Sequence, residues 1–441
     1  MNLATDLSPA QRVAYLQTLP AIRERCGRVY ELAKLGKLEH FDYHPEKESD
    51  VVDFCIEIIQ RDFDTNYTFA SDLIPPHSRW RHFDTGRERI GPLLNSWASA
   101  DKTEVTKRLI DLFLVSVLLD AGAGNRWVYT ERHTGNKFSR SEGLAIASLD
   151  AFLEGYFSGE KSQPFRVDAN GLSLISVDET SNPMSGLEGR TSLLSNLSQA
   201  LRTSPEFFGV DARPGNLIDF LTKESQPDGV NRKVHISALF HALIQGLAPI
   251  WPVRNQLAGI SLGDVWSCNA LVSEASTGIP AGAKFNPSSR DPVADDLVPF
   301  HKLTQWLTYS LVEPLEKVLG WKVEGMEDMT GLPEYRNGGL LVDFGVLTLR
   351  QETISSFYPD PNSDIPLLPP SHSAIIEWRA MTVIELDRIA SAIRTKLGEP
   401  SLTLPQVLES ATWKGGREIA RIKRPTTGGP PIDIESDGTV F

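Results

Sequence analysis

Two carboxylates and a guanidinium stand in an otherwise apolar, glycine-rich run from Thr330 to Arg350, TGLPEYRNGGLLVDFGVLTLR: Glu334, Arg336 and Asp343. Charged side chains are seldom buried unless they are paired or have a task. Gly331, Gly338 and Gly339 permit a tight path or a close backbone approach on either side of Glu334-Tyr335-Arg336. Pro333 biases Leu332 toward an extended conformation, so the triplet is expected on a turn that opens a short helix. The bland reading is a helix cap with a local Glu–Arg pair. The chemical reading is a carboxylate for acid–base or electrostatic work.

Other residues could join that chemistry. The run Ile74–Ile90, IPPHSRWRHFDTGRERI, gathers Arg79, Arg81 and His82 with further cations in an acidic chain. Guanidinium groups match phosphate bidentately, so this is a candidate anion site, weighed against a solvated loop of ion pairs. Asp264 sits between an apolar strip and Trp266. His301, Gln305 and Tyr309 recur at helical spacing as a polar stripe, and a His/Gln/Tyr stripe favours a pocket over open solvent. His40 and His44 lie four apart, but no third metal ligand completes the pattern and no zincin or paired-cysteine spacing is present. No metal and no cofactor are expected. Carboxylates beside aromatics, with Arg and His at hand, suit cleavage of a glycosidic bond; they equally suit plain binding of a small polar ligand.

The elements that must position these groups read as helices. Ser8-Pro9 opens one to about Leu19, Ala21–Leu35 forms another, and Ser49–Phe63 is half-buried. The second half of Asp101–Asp120 is apolar all round and belongs in a core. Asn231–Gln245 reads as an amphipathic helix, Pro299–Leu319 as a further one, and Ser371 caps the longest, His372 to about Leu397, with Ile375, Trp378, Thr382, Leu386, Ile389 and Ile393 inward. Asn170-Gly171 inside Val167–Val177 is the best β-hairpin signal. The fold class is therefore mainly α: a single large helical domain over 1–441 with a minor β-hairpin, or two lobes over 1–165 and 180–441. With 441 residues, 41% of them hydrophobic, the chain can bury a large core. A net charge of −13 argues against nucleic acid or an anionic membrane as partner. No apolar run reaches the length of a membrane span, and three scattered cysteines suit a reducing compartment, so a cytoplasmic protein with a small-molecule substrate is expected. Nothing in the sequence signals an oligomeric state.

The segments IPPHSRWRHF, LLDAGAGNRWVYTE, SRSEGLAIASLDAF, NPMSGLEGR, PFHKLTQWLTYSL, GLPEYRNGGLLVDFGVL, HSAIIEWRAMTVIELDRIA and GGPPIDIESDGTVF together resemble the uracil-catabolism (URC pathway) protein family, a domain-of-unknown-function family. The resemblance spans nearly the whole chain. It implies a place in a route that opens the pyrimidine ring of a uracil nucleotide and breaks down the remaining ribosyl-urea to urea. A more distant likeness is to the queuosine-salvage nucleotide N-glycosylases, helical proteins related in fold to helix–hairpin–helix DNA glycosylases. Pro333-Glu334-Tyr335-Arg336 with the following LLVDFGVL is similar to their Ala-Asp-Tyr-Arg turn and apolar helix, Glu377-Trp378-Arg379 to their Glu-Ile-Arg helix, and Gly263-Asp264-Val265-Trp266 to their Ala-Asp-x-Trp helix. Trp413-Lys414-Gly415 stands where they carry Trp-Asp-Tyr. Their site Asp is Glu334 here, and their later Asp is Lys414, with Arg417 and Glu418 close by.

These resemblances imply an N-ribosyl hydrolase acting on ribosyl-urea or its 5′-phosphate, releasing urea. Glu334 would stabilise the oxocarbenium charge or deprotonate water; Glu377, Asp264 or Asp343 would supply the proton to urea. Arg79, Arg81 and His82 are the phosphate candidates, and His301, Gln305 and Tyr309 the ribose or urea candidates. Tyr335, Arg336, Arg379, Trp413 and Arg417 complete the expected binding set. Two alternatives stay open: an amide hydrolase attacking the ureido carbonyl, with or without a metal, and a non-catalytic ligand-binding or scaffold protein.

Overall fold

In the computed structural model, residues 7–65, 68–69, 71–120, 127–175, 187–272, 296–354 and 365–435 are described. The fold is mainly helical with a few small sheets. The chain forms two compact units, each woven from separated stretches. The first takes residues 1–76, 253–302 and 330–435; the second takes 77–252, 303–329 and 436–441. A division between 165 and 180 would fall inside the second unit. Among the described residues no helix is long and apolar enough to cross a membrane.

The first unit is built on helix Ser373–Leu397. His372 caps its start, accepting from Ala374 N, and Gly398, at φ 69°, ends it in the left-handed conformation that suits glycine. The expected inward stripe is buried, but from Ser373 to Val383 every residue is buried, so only the second half is amphipathic. Glu377, Arg379 and Glu385 are consequently inside, and each must find compensation there. Helices Leu19–Lys34, Glu48–Phe63 and Tyr335–Asp343 pack on this rod, and Trp413–Lys423 packs on Tyr335–Asp343. Gly338 lets the Tyr335–Asp343 helix lie close: a Cβ there would stand 2.7 Å from Trp378 Cε2 and Nε1. Gly416 does the same for Trp413–Lys423, where a Cβ would meet the Arg336 carbonyl oxygen at 2.2 Å. Strand Val265–Ser267 pairs antiparallel with Leu297–Pro299, and Phe41–Tyr43 with Leu347–Leu349.

In the second unit, helix Lys102–Leu118 is buried on all sides from Leu109 to Leu118, as its apolar run predicts. Two sequence expectations fail here. Val167–Val177 is no hairpin: Asp168 accepts from Asn170 N and Gly171 N and caps a short helix, Ala169–Leu172, with residues 176–177 outside the described set. An Asx cap outcompetes the Asn-Gly turn because Asp168 can satisfy the helix-start donors at once. Asn231–Gln245 is also not one helix. Asn231–His235 is a strand between Gln226–Asp228 (antiparallel) and Lys322–Glu324 (parallel), and the helix is Ile236–Gly246. A tight hairpin with Gln226–Asp228 and pairing with the remote strand Lys322–Glu324 decided that segment.

The packing of the first unit can be tested at two positions. Gly416→Ala should lower stability by about 1–3 kcal/mol, because the clash is with a backbone oxygen that cannot rotate away. An unchanged denaturant midpoint would show that the helix pair parts without cost. The second position is Glu385, which is wholly buried. Burial and then the charge of Glu48 push its pKa up to about 8, against the Tyr43 hydroxyl and Arg388, whose Nε is 3.8 Å away. The native state therefore keeps a proton that the unfolded chain releases near pH 4.5. The associated stability is intact below that pH and lost as pH rises through 8. Glu385→Gln should raise the melting temperature relative to the parent at pH 8.5 and change it least at pH 4.5; an equal shift at both would refute the assignment.

Candidate functional site

Glu334 is the N-cap of helix Tyr335–Asp343. Its Oε2 accepts from Arg336 N at 2.9 Å and its Oε1 from Asn337 N at 2.7 Å, with 7% of the residue exposed. The cap of the bland expectation is present. The carboxylate is a cap, and two backbone donors fix it in a buried position. Asn337 Nδ2 donates to Leu332 O at 3.0 Å and closes the turn before it. Arg336 thus meets Glu334 through its backbone N–H, while its guanidinium turns to aromatic rings. That group lies over Trp413 at 4.7 Å and over Tyr335 at 5.5 Å, and its Nε donates to the Tyr335 hydroxyl at 3.2 Å. Arg417 lies over the same indole at 4.9 Å, so two cations share one aromatic ring, each drawn by its π face.

The second constellation centres on Arg379, which is 1% exposed. Its two Nη atoms each donate at 2.8 Å to Asp264, a bidentate pair, and its guanidinium covers Phe300 at 4.0 Å. Asp264 also accepts from Trp266 Nε1 at 2.6 Å and from Lys302 N at 2.9 Å. Burial pushes the Asp264 pKa up, but Arg379 and these hydrogen bonds overcome it and hold the group well below the usual carboxylate range. Asp264 therefore stays ionised and is no proton donor, contrary to one expectation. Asp343 is excluded from that role on different grounds. Both its oxygens take Arg424 Nη donors, at 2.7 and 2.5 Å, and it sits nine residues along the helix from Glu334, about 13 Å at 1.5 Å per residue. Of the three expected proton donors, Glu377 is the one whose pKa burial raises, to about 7, although Glu39 N and His40 N donate to its two oxygens. It is wholly buried and clamps the connector at Glu39–His40.

His301 does not begin the expected polar stripe. The helix starts at Lys302, and His301 lies before it at φ 45°, a left-handed conformation that a non-glycine residue rarely holds without a constraint. The ring Nε2 donates to Leu16 O at 2.8 Å, and burial lowers its pKa, so the imidazole is neutral. Gln305 and Tyr309 are on the helix and buried, in the second unit.

The basic run of the second unit is mostly scaffold. Arg79 is fully buried, and each guanidinium nitrogen already has an acceptor: Nε to Ser116 Oγ at 2.8 Å, Nη1 to Asp120 at 2.5 Å, Nη2 to Ser116 O at 3.0 Å. It is not a phosphate ligand. Arg81 reaches Glu313 at 2.9 Å, and Arg87 and Arg89 share Glu131. His82 packs edge-on to Trp306 at 5.5 Å, and His77 lies 4.4 Å from the same ring.

Some chemistry went unread in the sequence. Phe300 is an unheralded aromatic partner of Arg379. Gly259-Ile260-Ser261-Leu262-Gly263 has the spacing of a nucleophile elbow, yet Ile260–Ser261 pairs with Gln256–Leu257 in a small hairpin, not at a strand-to-helix turn. Ser261 Oγ has no hydrogen-bond partner among the described residues. Among the described residues no group of three His, Cys, Asp or Glu side chains is placed to hold a metal ion.

The motifs singled out from separated stretches are thus joined in the first unit: Glu334 to Arg336 through Gly338 to Trp378, Trp413 through Arg336, and Asp264 through Arg379. A uracil catabolism protein 4 from Lachancea kluyveri is 42% identical over 452 residues, covering 97% of this chain and 99% of that protein. Protein urg3 of Schizosaccharomyces pombe is 38% identical over 446 residues, covering 98% and 99%. The family described as protein of unknown function (DUF1688) matches residues 15–441, and with these full-length relatives it shows that the chain belongs to the DUF1688 family.

Proposed function

We propose that this protein acts in uracil catabolism as an N-ribosyl hydrolase, cleaving ribosyl-urea or its 5′-phosphate to urea and the free sugar. The relative's name supplies the pathway. The observation that carries the reaction type is Glu334: a buried carboxylate whose two oxygens are fixed by backbone donors of one helix start. A fixed negative charge is what a developing oxocarbenium ion requires, and little reorganisation is needed when the charge appears. In the overall step the C1–N bond breaks and a C1–O bond forms from water. One water proton passes to the urea nitrogen, so no oxidant or further reactant enters.

Arg379 and Asp264 act as a fixed pair that orients Trp266 and the Phe300–Lys302 segment. Asp343 is outside the chemistry, and Arg79 positions the second unit's core. Glu377, which burial pushes up to about 7, is held in place by the Glu39 and His40 amides.

The test is incubation of the purified protein with synthetic ribosyl-urea and with its 5′-phosphate, assaying urea and free sugar. Intact urea is expected; ammonia without urea would favour attack at the ureido carbonyl, and no turnover of either compound would favour the binding or scaffold role. Glu334→Gln keeps a cap acceptor and removes the charge. Turnover should fall by about 10²–10⁴-fold, with the melting temperature little changed. Asp343→Asn should show the reverse pattern, lower stability with turnover per folded molecule retained. Equal turnover in Glu334→Gln and parent would eliminate Glu334 as the catalytic group.

A further inference from the structure

A buried acceptor without a donor stands at the helix start that Glu334 caps. Asn337 is 1% exposed, and its Oδ1 has no hydrogen-bond partner among the described residues. Chemistry fixes which end of this carboxamide faces which way. Leu332 O can only accept, so the group 3.0 Å from it is the Nδ2 amine, and the carbonyl oxygen is the end left over. The residue is also held at its backbone, since Asn337 N donates to Glu334 Oε1 at 2.7 Å. Leu332 O takes the Glu334 N–H as well, at 2.9 Å, so side chain and backbone of Asn337 are tied to one closed turn.

Glu334 has acceptor capacity at the same place. Each carboxylate oxygen can take two donors and holds one backbone N–H, from Arg336 or from Asn337. A helical side chain leans toward the N-terminus of its helix, so Asn337 leans back over the turn that carries Glu334, and positions three apart on a helix are neighbours. A charged and a neutral acceptor thus converge. Buried acceptors are rarely left without donors, and one small molecule with two hydrogens to give would satisfy both. A sugar hydroxyl, with one hydrogen, would satisfy only one of them.

We propose that Glu334 and Asn337 together hold the attacking water, one hydrogen on the carboxylate, the other on Asn337 Oδ1, and the oxygen lone pair turned to C1 of the pentose. The inference rests on the hydrolase reading of Glu334 and adds a second residue to it. Urea also has an amino group with two hydrogens, but in the substrate it is bonded to C1 and lies across that carbon from the attacking oxygen. As the water oxygen bonds to C1, the C1–N bond breaks and its electron pair goes to nitrogen. Glu334 takes one water hydrogen as a proton and returns it to solvent, while the urea nitrogen takes up one in exchange; the other water hydrogen stays on the new sugar hydroxyl. Asn337 gains and loses no proton.

Methanol tests the two-hydrogen requirement, because it is a small oxygen nucleophile with one hydrogen to give. The full-length protein is incubated with ribosyl-urea, or its 5′-phosphate, in aqueous methanol, and urea, free sugar and methyl glycoside are quantified. The parent should release urea with free sugar as the dominant partner product. Asn337→Ala should lower kcat by about 10- to 100-fold with KM kept, the cost of a nucleophile no longer held in place. Its ratio of methyl glycoside to free sugar should rise about 10-fold over the parent, the discrimination one hydrogen bond supplies. Asn337→Leu removes the acceptor without opening extra room and should raise the ratio equally; it carries the test alone if Asn337→Ala does not fold. Leu332 O keeps the Glu334 amide in both variants. A purely structural Asn337 would slow both nucleophiles alike, so an unchanged ratio overturns the inference, as does an unchanged kcat or a rise in Asn337→Ala alone. Loss of product inhibition by urea with an unchanged ratio would put the urea amino group on Asn337 and also overturn it. If the parent releases no urea, the hydrolase reading fails and this inference falls with it, whereas urea release by the parent with unaltered variants removes the inference alone.

Discussion

An arginine buried on all sides must meet an anion, and the first unit is arranged around that requirement at Arg379. Removing a guanidinium from water costs several kcal/mol, recovered only if an acceptor of matching geometry waits for it. Asp264 supplies it with two bonds at 2.8 Å, and the stacking of Phe300 at 4.0 Å covers the cation's face. Because Asp264 is itself held by Trp266 Nε1 and Lys302 N, the pair fastens the long helix to the strand after Gly263 and to the segment around His301. The unusual backbone of His301 lies next to this fastening, where tertiary contacts can maintain a conformation that the residue alone disfavours.

Close approach does for Glu334 what charge does for Arg379. Gly338 and Gly416 remove the side chains that would hold three helices apart, and the helix that Glu334 caps is thereby pressed against Trp378 on one side and Trp413–Lys423 on another. The Arg336 guanidinium then falls on the Trp413 ring. Glu334 keeps its carboxylate for two backbone donors, which is why a residue with the look of a salt-bridge partner is a fixed, buried charge.

The same physics disposes of the basic run after Pro76. Its residue types suit phosphate, but carboxylates of the same unit pair with them, and Arg79 and Arg89 are buried as well. Arg79, Arg81, Arg87 and Arg89 each sit against a carboxylate of their own unit. A buried guanidinium left unpaired whenever a ligand is away would be strongly destabilising, so a permanent internal acceptor wins.

Several features were legible in the residues themselves. The capping signal at Ser8, the all-apolar half of Lys102–Leu118, and the glycines around Glu334 act over a few residues, so the chain carries them locally, whereas the long helix is capped by His372, one residue past the expected Ser371. The prominence of Glu334, Glu377 and Asp264 was also visible, because a charge among apolar neighbours is a local anomaly. The partners of those charges were not. Asp264 with Arg379, Asp343 with Arg424 and Glu377 with the Glu39 and His40 amides join residues more than eighty apart. Which carboxylate is neutral, which is locked ionised and which caps a helix depends on burial and on the atom opposite, and only the folded chain brings that atom there.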